Sequence, residues 1–195
     1  MNRLSDWIYQ KTTSWVSLIF LVIFLLFTAF ILPTQNEKAE SYAGETGSPD
    51  TSFFYTAENL YQFAEQYGPE GRSAYIKARL IFDTIFPLVY GAFLTTAISW
   101  TIKLRTPKGS PWRLMNLVPL LGVLFDYLEN ITAAIVMARY PSRTPILAQM
   151  AGIFTSIKWV FVTASFLLLI FGIIRAKGRL FKQQKTPENR RDSFL

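Results

Sequence analysis

Apolar residues in this chain are gathered into four long runs that carry few charges. The runs cover residues 14–32, 80–102, 114–138 and 146–174. Each could cross a bilayer as an α-helix, because a spanning helix needs about 20 predominantly apolar residues. The pattern therefore predicts an all-α fold: a bundle of four transmembrane helices that forms one integral membrane domain over residues 1–195.

The first run follows Arg3 and Lys11 and ends at Pro33, so a signal peptide is the alternative interpretation. The run is longer than the apolar core of a typical signal peptide, and no small-x-small cleavage site follows it. We therefore expect an uncleaved membrane anchor.

The polar segment 33–79 is predicted to be an outer loop that contains one short helix. Its first part, from residue 33 to about 51, has the composition of a flexible linker. Apolar residues then recur at the helical spacing i, i+3, i+4 and i+7, at Leu60, Phe63, Ala64 and Tyr67. Gly68 and Pro69 predict the end of this short helix and the start of one that continues into the second run. The short helix is expected on the outer membrane surface, where it either covers the end of the bundle or only packs against it.

Loop charges predict the orientation of the chain. The 103–113 connection is basic and has no acidic residue, the 175–195 tail is strongly basic, and the 33–79 loop is comparatively acidic. Basic loops stay in the cytoplasm, so both termini are predicted there, in a multi-pass protein of the cytoplasmic (inner) membrane. Only the short turn at 140–145, which contains Arg143, disagrees.

The net charge of +7 lies beside the apolar runs. Anionic membrane lipids are therefore the expected partners, and no surface suited to nucleic acid is apparent. The chain has no cysteine and no histidine. Thiolate chemistry, imidazole acid–base catalysis and typical zinc sites are thereby excluded, and the cofactor remains unknown. A metal, if there is one, would be Mg²⁺ or Ca²⁺ bound through oxygen ligands.

Four charged residues, and Asn130 beside two of them, lie inside the predicted spans, where each ionisable group costs at least about 2.5 kcal/mol. They are Asp83 in the second run, Asp126, Glu129 and Asn130 in the third, and Lys158 in the fourth. The three in the third run are spaced i, i+3 and i+4, so they share one helix face. At about 1.5 Å per residue, Glu129 lies roughly 24 Å from Arg113 and Lys158 roughly 26 Å from Arg175, so the two share one depth.

These residues predict a site within the membrane. The candidate general acids and bases are Glu129, Asp126 and Asp83; the candidate substrate-binding residues are Lys158, Asn130, Arg79 and Tyr90. Three carboxylates around one ammonium would leave two charges uncompensated. A protonated carboxyl, a bound cation or a water pocket is therefore expected. Pro87 has no backbone N–H, so the carbonyl of Asp83, four residues earlier, lacks its usual helical hydrogen bond.

A purely structural role is the alternative for each of these residues. Asp83 could pair with Arg79 one turn away, and Glu129 could pair with Lys158 only to fix the register of the bundle. Asn130 could hydrogen-bond a neighbouring helix. The small residues of the fourth run are more typical of a close-packing seam than of a ligand surface: Ala148, Ala151, Gly152 and Thr155.

Three segments carry a resemblance: GPEGRSAY at 68–75, FDTIFPLVYG at 82–91 and FDYLEN at 125–130. They resemble a group of uncharacterised bacterial four-span membrane proteins. The resemblance implies the fold and no activity. The GxGD motif of intramembrane aspartyl proteases is missing, and histidine-dependent membrane hydroxylases and ceramidase-like hydrolases are excluded by composition.

Three functions remain open. In the first, a lipid-like amphiphile binds or reacts at the polar residues, with Lys158 or Arg79 holding its headgroup. In the second, the protein is an accessory or scaffold protein with a protein partner or a homo-oligomeric state, and its charges only fix helix packing. In the third, the acidic residues take part in proton- or cation-coupled transport, although no inverted repeat is detectable.

Overall fold

A computed structural model describes residues 2–43, 49, 52–104 and 106–184. In this part of the chain all regular elements are helical, which confirms the all-α prediction. The seven α-helices are α1 Asn2–Lys11, α2 Ser14–Leu26, α3 Leu32–Ala43, α4 Ala57–Gln66, α5 Gly68–Lys103, α6 Val118–Arg139 and α7 Pro145–Gln184. A π-helical turn, Phe27–Ile31, joins α2 to α3, and a 3-10 helix, Pro111–Leu117, leads into α6.

Within the described residues, four segments are long and apolar enough to cross a membrane, which agrees with the predicted number of spans. They are Ser14–Gln35, Gly68–Lys103, Pro111–Arg139 and Pro145–Ala176. Their length and composition indicate a multi-pass membrane protein. The sides on which the termini lie stay a prediction.

The prediction of a flexible linker from residue 33 was wrong for residues 33–43, which are helical. The π-helical turn explains why Pro33 does not end the first helix. The backbone N–H of Leu32 bonds to the carbonyl of Phe27, five residues back, so the helix is locally wider where the proline follows. The Thr34 hydroxyl also donates to the carbonyl of Ile31 at 2.7 Å. Residues 44–48, 50 and 51 of the predicted linker lie outside the described residues, as does the tail beyond 184.

The predicted break at Gly68 and Pro69 is confirmed. Gly68 has a φ of +59°, which glycine adopts without steric cost, and α5 then runs unbroken for 36 residues. The helix therefore carries Arg79 and Asp83 into the membrane segment on one rigid element.

The short helix α4 packs its apolar face against the ends of α6 and α7. Thr56 and Asn59 form a capping box at its start, and Leu60 and Ala64 belong to one buried cluster with Val136. The small-residue seam of α7 is buried here too, but a loop covers it: the backbone carbonyl of Tyr55 lies where a Cβ on Gly152 would stand. This end of the bundle is called the α4 end below.

At the opposite end, α1 docks on the bundle through hydrogen bonds that the hydrophobic pattern did not predict. The Ser5 hydroxyl donates to Asn116 Oδ1 at 2.8 Å, and Asn116 Nδ2 donates to the Ser99 hydroxyl at 3.0 Å. The Tyr9 hydroxyl donates to the Arg113 carbonyl at 3.0 Å. These five residues are called the α1-end network.

Candidate functional site

Helices α6 and α7 bring three of the predicted charges together around Lys158. Its ammonium Nζ lies 2.5 Å from Glu129 Oε2 and 3.9 Å from Asp126 Oδ1. The depth count from the sequence thus placed Lys158 and Glu129 at the correct common level. One ammonium is shared by two carboxyl groups, with the shorter contact to Glu129.

Asp126 is the most extensively hydrogen-bonded of the carboxyl groups. The Tyr90 hydroxyl donates to its Oδ2 at 2.9 Å, and Asn130 Nδ2 donates to its Oδ1 at 3.0 Å. Together with the ammonium of Lys158, these donors satisfy both oxygens. A carboxyl with donors on both oxygens is held in one orientation.

Arg79 and Asp83 form an ion pair within α5, with 2.8 Å between Arg79 NH1 and Asp83 Oδ2. The other terminal nitrogen of Arg79 donates to the Tyr75 hydroxyl at 2.7 Å. The i,i+4 pairing considered from the sequence is therefore present. Asn130 Nδ2 also lies 3.5 Å from the Asp83 carbonyl, the group that Pro87 deprives of its helical partner.

Glu129 is fully buried, with an exposed fraction of 0 %, and it lies behind the other charges. The Tyr55 hydroxyl donates to its Oε1 at 3.4 Å from the loop that precedes α4. Burial raises the pKa of Tyr55, and the charge of Glu129 raises it further, so the phenol stays protonated and able to donate. Glu129 thus links α6 to α7 and to the covering loop.

A cavity of about 890 Å³ lies beside these residues, between the α2–α3 segment, α5 and α7. That size suits a small-molecule ligand, because ligand pockets commonly measure about 300–1,000 Å³. Apolar side chains line much of it: Phe24, Leu32, Phe82, Phe86, Val162 and Phe166. Charged side chains line the rest: Lys38, Lys77, Arg79, Asp83, Asp126 and Lys158. The cavity is therefore amphipathic.

The cavity divides the predicted site residues into two groups. Five of them line it: Arg79, Asp83, Tyr90, Asp126 and Lys158. Glu129 and Asn130 are not among the lining residues, although both contact residues that are. A ligand in the cavity would meet the first group directly and the second group only through its neighbours.

Sequence reasoning missed several side chains of the site. Tyr75 lies one turn before Arg79, and this i,i+4 spacing was a usable signal. Trp159 follows Lys158 and lines the cavity, and its indole Nε1 is buried without a hydrogen-bond partner among the described residues. Nothing in the sequence pointed to Tyr55, because it contacts Glu129 from 74 positions away.

The acidic residues of the site lie beside basic residues. Within the part of the chain that the structure describes, no group of three or more acidic side chains could hold a metal ion. Lysine and arginine fill the positions between the carboxyl groups instead. The site is therefore built from ion pairs and hydrogen bonds.

Comparisons of the chain with family models, with curated proteins and with solved structures gave no match. The resemblance of the three sequence segments accordingly stays a prediction. Function has to be inferred from the geometry of the cavity and of the charges around it.

Proposed function

We propose that this protein binds one lipid-like amphiphile in the cavity between the α2–α3 segment, α5 and α7. The observation that carries the proposal is the amphipathic lining of a cavity of about 890 Å³. Aromatic and aliphatic side chains suit an acyl or isoprenoid chain, and the charged side chains suit a headgroup. A small polar metabolite would leave most of the apolar lining without a partner.

The length of the cavity supports an extended ligand. Its lining residues on α5 run from Gly71 to Tyr90, and those on the α2–α3 segment run from Tyr42 back to Phe24. At about 1.5 Å per residue, each row is roughly 28 Å long, which approaches the thickness of a bilayer's hydrocarbon core. An extended amphiphile lying along the helices matches this shape.

Access from the side of the bundle fits the helix packing. Helix α2 packs mainly on α5, and α3 packs on α4 and α5, whereas α6 and α7 pack mainly on each other and on α5. The border between the α2–α3 segment and α7 is therefore the least closed side of the cavity. We propose that the ligand enters there from the surrounding lipid.

The roles of the charged residues follow from what lines the cavity. Lys158 and Arg79 would contact polar atoms of the ligand where it passes through the interior of the cavity, and Asp83 and Asp126 would orient these two cations. Asp126 is the carboxyl best placed to exchange a proton with a ligand, because it lines the cavity beside Tyr90 and Lys158. Its two oxygens already accept hydrogen bonds from Tyr90 and Asn130 and lie beside the Lys158 ammonium, so we propose that the protein binds the ligand without converting it.

A structural role is proposed for Glu129 alone. It is fully buried and paired with Lys158 at 2.5 Å, and it does not line the cavity. In this role it compensates Lys158 and fixes the register of α6 against α7.

The proposal includes the orientation predicted from loop charge. Both termini would lie in the cytoplasm, and the α4 end of the cavity would face the outer side of the inner membrane. Accessibility of single introduced cysteines to a membrane-impermeant thiol reagent would test this in cells, since the chain has no cysteine of its own.

Native mass spectrometry of the detergent-purified protein tests the binding proposal. Wild type is compared with Ala78→Trp, which fills the cavity from α5, and with Leu80→Trp, a lipid-facing control on the same helix. We expect a discrete retained amphiphile in wild type and in Leu80→Trp, and its loss in Ala78→Trp. Ligand-free wild type after mild extraction, or equal retention in all three proteins, would contradict the proposal.

A further inference from the structure

The charges along the cavity differ between its interior and the end near α4. In the interior, Arg79 is paired with Asp83, and Lys158 is paired with Glu129 and Asp126. Near α4, Lys38 on α3 and Lys77 on α5 also line the cavity. Neither lysine forms an ion pair with a described residue, and both are exposed. The cavity lining therefore carries four basic and two acidic side chains, and the two basic ones without an acidic partner among the described residues lie at one end.

Helix geometry places the two lysines at a similar depth in the cavity. A Cβ on Gly71 would lie 3.1 Å from the ring of Tyr42, so α3 and α5 approach closely at these residues. Lys38 lies four residues before Tyr42 on α3, which is roughly 6 Å along the helix. Lys77 lies six residues after Gly71 on α5, which is roughly 9 Å along that helix. Arg79 and Asp83 lie deeper on α5. We call the segment lined by Lys38, Lys77, Ser41 and Gln35 the cavity mouth.

From this arrangement we infer that the amphiphile is anionic, with a phosphate or carboxylate headgroup held between Lys38 and Lys77 at the cavity mouth. The inference rests on the proposed function and adds the class of ligand. Two ammonium groups on neighbouring helices at a similar depth can contact one anion together, and the Gln35 amide can donate to it, whereas the Ser41 hydroxyl donates to the Lys38 carbonyl. A cationic headgroup would be repelled by both lysines.

The inner ion pairs are consistent with a headgroup at the mouth. Arg79 and Lys158 line the interior, but each is already paired with at least one carboxyl group, so neither is free to compensate an anionic headgroup. The chain of the amphiphile would pass these compensated pairs and end among Phe24, Phe86 and Phe166. On α2 and α7 the deepest lining residues, Phe24 and Phe166, are apolar, as the end of a hydrocarbon chain requires.

A matched pair of amphiphiles tests the inference. Binding of dodecyl phosphate and of dodecylphosphocholine, which share one chain and differ in headgroup charge, is measured by native mass spectrometry titration in a neutral detergent. The proteins are wild type, Lys38→Gln/Lys77→Gln, and Lys11→Gln/Lys108→Gln, a control that removes two exposed lysines outside the cavity. Inorganic phosphate is added as a competitor to separate a lipid headgroup from a free anion.

We expect wild type and the control variant to bind the anionic amphiphile about tenfold more tightly than the zwitterionic one. The mouth variant should lose this preference and still bind both through their chains. Equal affinity for the two headgroups in wild type, or an unchanged preference in the mouth variant, would overturn the inference and leave amphiphile binding intact. Displacement by inorganic phosphate at equimolar concentration would also overturn it. Binding of neither amphiphile to wild type would refute the proposed function itself.

Discussion

The two ends of the bundle each bury a polar network, and the two networks differ in what lies beside them. In the α1-end network, Ser5, Asn116 and Ser99 satisfy one another, and all three side chains are buried. At the α4 end, the network of Lys158, Glu129 and Asp126 is also largely satisfied, but it borders a cavity of about 890 Å³. The α1-end network only joins helices, whereas the network at the α4 end joins helices and also borders the cavity.

The comparison shows that buried polarity alone does not identify a binding site. Both networks cost desolvation free energy and recover it through internal partners. The α4 end differs because its network contains ion pairs and borders a cavity. Aromatic side chains line this cavity, together with two lysines that have no acidic partner among the described residues. The two networks should therefore respond differently to mutation.

The largest effect is expected for Lys158→Ala, which leaves Glu129 buried without its counter-ion. Breaking a buried pair in this way costs about 3–5 kcal/mol of the free energy of unfolding. Lys158→Ala/Glu129→Gln should recover part of the loss, because the uncompensated charge is gone. Thermal unfolding in detergent measures both. Arg143→Ala is the control, since its pair with Glu58 is exposed and should contribute little. A single mutant as stable as that control would show that the pair is uncoupled.

An intermediate effect is expected for Asn116→Ala, which removes the central residue of the α1-end network. The Ser99 hydroxyl loses this partner and Ser5 keeps only its longer bond to the Arg113 carbonyl, at a cost of about 1–3 kcal/mol in the free energy of unfolding. Amphiphile retention should be unchanged, because no residue of this network lines the cavity. Unfolding temperature and native mass spectrometry together test this, with Ser142→Ala as an exposed control. Loss of the retained amphiphile in Asn116→Ala would contradict the conclusion that only the α4 end takes part in binding.

The smallest effect is expected from the ionisation of Tyr9 at high pH. Burial raises the pKa of Tyr9 from near 10 to about 12, although the neighbouring Arg113 partly lowers it. Between pH 10 and pH 12, Tyr9 stays protonated in the folded protein but loses its proton in the unfolded protein. Its stabilisation is therefore complete below pH 10 and lost as the pH rises through 12.

Tyr9→Phe removes both the titration and the hydrogen bond to the Arg113 carbonyl. We expect wild type to be more stable than Tyr9→Phe by about 1 kcal/mol at pH 8. This difference should shrink between pH 10 and 12. Unfolding temperatures of the two proteins across this range test it, and a difference that stays constant would contradict it.

Much of the fold could be predicted from the sequence, because spanning helices must be long and apolar. Depth counting also brought Glu129 and Lys158 to one level, since helices of known rise run between basic residues at the membrane surface. The passage of the helix through Pro33 could not be predicted, because a π-helical turn has no clear sequence signature. Proline ordinarily predicts a helix end.

The composition of the site was only partly predictable. The spacing of Asp126 and Glu129 places them on one helix face, but the rotation of α6 decides which of them meets the cavity. That rotation depends on packing against α5 and α7. The α1-end network joins residues 111 positions apart in the case of Ser5 and Asn116, and no local pattern reports such a contact.

The pairing of Glu129 with Lys158 also bears on how the chain is assembled. Glu129 is synthesised 29 residues before its counter-ion, so α6 entering the membrane alone would carry an uncompensated carboxyl group into lipid. Only the short turn at residues 140–144 separates α6 from α7. We therefore expect the two helices to leave the translocon as a preformed hairpin, with the ion pair made before either helix meets the lipid chains.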